Sequence, residues 1–138
     1  MNAPFTLKTV LDNVAEYRLP DFRHIEDLSW RGWADLDAVC TDLRNAVDRI
    51  KGYANAIWSA GLEDDVLIGL GLGLQTVQGN LECALATARD ARSTDDREKR
   101  RIFIGSGSNF VREAIAQLVI LRTFASIAQR NLDTVDNP

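Results

Sequence analysis

Apolar side chains return along this chain at intervals of three and four residues, in four stretches separated by polar breaks. That period belongs to helices with one buried face. In residues 5–18, Leu7, Val10, Leu11, Val14 and Tyr17 share a face, and Leu19-Pro20-Asp21 is expected to end a short first helix. A polar linker at 22–29 leads into a second stretch, 30–60. There Leu36, Leu43, Ile50 and Ile57 stand seven apart, Cys40, Val47 and Ala54 fill the complementary positions, and Asp37, Asp42, Arg44, Asp48 and Arg49 lie off the stripe.

Gly61 is placed to cap that helix, and Glu63, Asp64 and Asp65 supply the negative charge that a following helix N-terminus favours. The third helix is expected over 63–92, with Leu67, Leu74, Leu81 and Ala88 in one series and Leu70, Val77, Ala84 and Ala91 in the other. Within it the run from Ile68 to Leu74 alternates with glycine, a pattern that also fits a strand, and each glycine costs a helix about 1 kcal/mol relative to alanine. Helix is preferred because both series pass through without a change of phase and a lone strand would lack a partner. A charge-dense turn follows at 91–101, with Ser93, Thr94 and Asp95 as candidate N-caps. The last helix runs towards Leu132 through Val111, Ala114, Leu118, Leu121, Ala125 and Ala128, with an interruption expected at the glycines and serines of 105–108. Prolines stand only at Pro4, Pro20 and Pro138, which leaves 21–137 free of the strongest helix breaker. The prediction is an all-α fold: an antiparallel up-down bundle of three long helices plus a short N-terminal helix, one domain over 1–138 with 1–4 and 133–138 frayed.

Two of the helices carry apolar residues away from their main stripes. On the third these are Ile68 and Leu72, continued by the small residues Gly79, Cys83 and Ala86; on the fourth they are Ile120 and Ile127, with Phe124 at the edge. A helix that is greasy on two sides needs cover on both. The short first helix is too small to shield both partners along their length, so Ile68, Leu72, Ile120, Phe124 and Ile127 are expected to form an interface with a second copy or with a helical protein partner.

Composition adds exclusions more than assignments. The net charge of −4 offers no overall attraction to nucleic acid or to an anionic membrane, and no run is long and apolar enough to span one. The N-terminus lacks the basic start and apolar run of a secretory signal, so the chain is expected in the cytoplasm. The single histidine, His24, excludes a histidine-rich metal site within one chain, and the Glu-x-x-His pairs of di-iron bundles are absent. No catalytic residue, metal or cofactor is predicted. Three weaker features remain. Trp30 and Trp33 close or line one end of the bundle, near the segment Gly105-Ser106-Gly107-Ser108, whose backbone N–H groups would face an anion if a helix began there. Arg122 falls inside the main apolar arc of the fourth helix, where it reaches solvent, pairs with a carboxylate such as Glu82, or binds an anion. Arg97, Lys99, Arg100 and Arg101 form a basic tip that interleaved acids largely offset, the pattern of a solvated turn or of a weak nucleic-acid contact. The reading expected from the sequence is a non-enzymatic interaction or regulatory protein acting through a helical surface. Its alternatives are a small-ligand or anion-sensing bundle and a weak nucleic-acid binder using the basic tip.

Overall fold

The computed structural model describes residues 5–17, 33, 35–61 and 63–136. Among these residues there are four helices and no strand: α1 (Leu7–Ala15), α2 (Leu36–Ser59), α3 (Asp65–Ser93) and α4 (Arg97–Asp136). Each start is set by the residue before it, whose side-chain oxygen accepts hydrogen bonds from the otherwise unpaired first N–H groups. Thr6 accepts from the Thr9 N–H, Asp35 from Ala38, and Asp64 from both Val66 and Leu67. Asp96, rather than Ser93, Thr94 or Asp95, caps α4, accepting from the Glu98 and Lys99 N–H groups. The expected turn at 91–101 therefore shrinks to residues 94–96, and the basic residues beyond it belong to helix.

Three other boundaries differ from the sequence reading. α1 stops at Ala15 instead of running to Arg18, because Tyr17 takes a left-handed φ of 55°, with the Glu16 N–H donating to the Asp12 carbonyl and the Tyr17 N–H to that of Val14. α2 begins at Leu36, not near Trp30, because the Asp35 carboxylate claims the Ala38 N–H; Trp30 and His24 lie outside the described residues. α4 shows no interruption at 105–108 and continues past Leu132 to Asp136.

The glycine alternation in α3 is helical after all. Leu70 and Leu74, four apart, both lie in the core, while Leu72 between them points outward. Gly73 lets α4 approach closely: a Cβ there would overlap the Leu121 side chain. Further along α3, Thr87 meets Gly107 of α4 in the same antiparallel register, the ring of Trp33 filling the space that a Gly107 Cβ would need. At the other side of α3, Arg92 pairs with Asp37 at 3.3 Å and Ile57 packs beside Gly71, which sets α2 antiparallel to α3.

The cross-section follows from these pairings. α3 packs between α2 and α4, whose backbones do not approach each other closely; α1 lies across the remaining gap, against α4 and, more lightly, α2, with its backbone held away from that of α3. Val10, Leu11 and Val14 of α1 are buried with Leu43, Ile50, Leu70, Leu81, Leu118 and Leu121 in one core. Two polar contacts fix α1 in place. Gln129 Nε2 donates to Asp12 Oδ1 at 2.5 Å, and Asn13 Nδ2 donates to the buried Tyr53 hydroxyl at 3.1 Å.

Candidate functional site

The five residues expected at an interface divide into two groups. Leu72 and Ile120 are each 54% exposed and Ile68 is 37% exposed. Phe124 and Ile127 are half-buried, Phe124 packing against the core. The contact of Gly73 with Leu121 places the exposed ones. One residue back on each helix is a rotation of about 100°, and in antiparallel neighbours this turns Leu72 and Ile120 to the same outer side of the α3–α4 pair. Cys83 and Ala86 are exposed along that side of α3, and nothing stands within 4 Å of the position of a Cβ on Gly69 or Gly79. The outer face thus carries three exposed aliphatic side chains, with small residues beside them on α3. α1 does not shield it, since α1 lies on α4 and α2 towards the opposite side of the core.

The glycine–serine segment does not form the anion loop that the sequence suggested. Gly105, Ser106 and Ser108 sit inside a continuous helix, where backbone N–H groups bond the carbonyl one turn back and are not free to face a ligand. The association of this segment with Trp33 is real but takes the form of packing, with Trp33 only 4% exposed and its ring against Gly107. No sequence signal marked Gly107 as the point that admits this ring.

The basic tip lies on the first two turns of α4. Arg97, Lys99 and Arg101 are exposed, while half-buried Arg100 donates through its guanidinium to the Thr94 carbonyl at 2.7 Å, closing the turn. Arg97, Arg100 and Arg101 share a shallow cavity of about 440 Å³ with Glu98 and Ile104.

Arg122 does not pair with Glu82, whose carboxylate instead accepts from Gln78 Nε2 at 2.9 Å. It leaves the apolar arc, is exposed, and holds its guanidinium carbon 5.6 Å from the centre of the Tyr17 ring. With Thr123, Ser126, Arg130, Val119 and Ala15 it lines an open groove of about 430 Å³ between α4 and the end of α1. The sequence reading singled out Arg122 but missed Ser126 and Arg130. Their spacing of four residues was a visible signal, but the wall contributed by α1 was not.

Cys40 is buried and Cys83 exposed, both as free thiols. Among the described residues, no group of three His, Cys, Asp or Glu side chains is arranged to hold a metal ion, and no helix is long and apolar enough to cross a membrane. Comparison of the chain with known protein families, with curated proteins and with solved structures finds no match in any of the three.

Proposed function

We propose that this chain is a non-enzymatic interaction protein of regulatory type that associates with a second copy of itself through the outer face of α3 and α4. The observation that carries this reading is the joint exposure of Ile68, Leu72 and Ile120 on one side of a helix pair whose other side is already packed. Aliphatic atoms left in water cost about 25 cal/mol per Å², which a matching apolar surface recovers. A second copy supplies such a surface: an isologous contact sets the same residues on both sides, and the small residues of α3 let the partner helices lie close.

Sedimentation equilibrium over a wide concentration range tests the reading. The expected result is a reversible dimer that Leu72→Asp with Ile120→Asp converts to monomer while the helical circular dichroism is kept. A wild-type chain that stays monomeric at millimolar concentration overturns it, as does a double variant that still dimerises.

A further inference from the structure

The groove beside α1 stands apart from the outer face and has a chemistry of its own. Among the described residues its lining holds two guanidinium groups, two hydroxyls and no carboxylate. Arg122, Ser126 and Arg130 follow one another at four-residue intervals, so that successive turns of α4, about 6 Å apart, set them in a row. Thr123 flanks the row, and Val119, half-exposed, forms an apolar lip with Ala15.

The state of Arg122 is the decisive feature. Its one recorded interaction among the described residues is with the face of the Tyr17 ring. A guanidinium attracted to a ring face is biased towards that position, while its N–H groups can still meet an acceptor. Tyr17 reaches it because the chain leaves α1 through the left-handed turn at that residue. Arg130 also borders the neighbouring cavity, which contains Asp12 and Asp133, so its charge is shared with acids and Arg122 is left as the more selective of the two.

We propose that this groove is a binding site for a phosphate group, carried either by a soluble phosphate monoester or by a lipid headgroup. The Arg122 fork engages two of the phosphate oxygens, the Ser126 and Thr123 hydroxyls donate to the remaining oxygen, and Arg130, whose charge is shared with neighbouring acids, adds a weaker attraction at the end of the row. The apolar lip at Val119 and Ala15 receives the carbon to which the phosphate is esterified. A carboxylate has fewer oxygens and less charge than this set of donors serves, which is why a phosphate fits better.

The test follows backbone amide resonances of the intact chain during titration with inorganic phosphate and with glycerol phosphate, with sodium chloride at matched ionic strength as reference. A parallel arm measures co-sedimentation with phosphatidylcholine vesicles with and without phosphatidic acid. Saturable shifts confined to the neighbourhood of 119–130 and of Tyr17, absent with chloride, are expected for the soluble source; retention only on vesicles containing phosphatidic acid identifies the lipid source. In either arm Arg122→Gln weakens binding roughly tenfold or more and Ser126→Ala a few-fold, while Arg122→Lys falls between because it keeps the charge and loses the fork. Leu72→Asp with Ile120→Asp leaves binding unchanged, which separates this site from the self-association surface. No saturable response in either arm overturns the proposal, as does a response that survives Arg122→Gln and Ser126→Ala in variants with wild-type helical content.

Discussion

Gly105 and Gly107 stand two positions apart in α4 and respond in opposite directions to the same substitution. Nothing lies within 4 Å of a Cβ placed on Gly105, so Gly105→Ala should raise the unfolding free energy by about 0.5–1 kcal/mol through helix propensity alone. At Gly107 the added methyl overlaps the Trp33 ring and approaches the Thr87 hydroxyl, and the gain is outweighed by overpacking of about 1–3 kcal/mol. Urea unfolding of the two variants side by side checks the difference in sign. Asp96→Ala should cost about 1 kcal/mol in the same assay, because its carboxylate satisfies two N–H groups at the start of α4. These residues also show where single-position reasoning stops. The glycines and serines at 105–108 were expected to interrupt the helix on propensity grounds, yet the partner that makes Gly107 useful comes from Trp33, far away in sequence. Arg122 was legible as an anomaly on an apolar arc; the aromatic ring that resolves it comes from a turn whose left-handed backbone no nearby residue announces.

The helices themselves were largely readable, because a stripe of Leu, Val, Ile and Ala with a constant phase fixes both that an element exists and which side it buries. α3 illustrates the strength of this signal: the phase of Leu67, Leu70, Leu74 and Val77 prevailed over three glycines that resemble a strand. Boundaries were less legible, since they depend on which of several eligible oxygens reaches the first N–H groups, and at α2 and α4 the choice fell on Asp35 and Asp96. α1 is the element whose position the sequence did not reveal. Its nine residues are too few to be stable alone. It is held by the burial of Val10, Leu11 and Val14 and by its contacts with Gln129 and Tyr53. Leu11→Ala should therefore destabilise the fold by about 2–5 kcal/mol in thermal or urea unfolding. Native-state hydrogen exchange should find α1 amides opening at lower free energy than those of α3, which is packed on two sides; equal protection would mean that α1 is an inseparable part of the core.

At the scale of the molecule, α3 and α4 have one side committed to the core and another that carries Ile68, Leu72 and Ile120 into water. Counting apolar positions away from the main stripes marked Ile68, Leu72 and Ile120, which are exposed, together with Phe124 and Ile127, which are half-buried. It did not indicate that α1 would settle on the opposite side, bridging the gap between α2 and α4, so that among the described helices none covers the outer face. Because α1 runs back along α4, Lys8 comes to share a cavity of about 410 Å³ with Leu132 and Asp133. Among the described residues, the start of α1 thus lies beside the last turns of α4. A short flexible splice from the end of α4 to Phe5, with the chain cut open between Thr94 and Asp95 so that the Asp96 cap is kept, should yield a rearranged chain with the same helices, its resonances shifted only near the cut and the splice. Order of synthesis would then be exchanged for order in space, and the connection between α3 and α4 would prove dispensable.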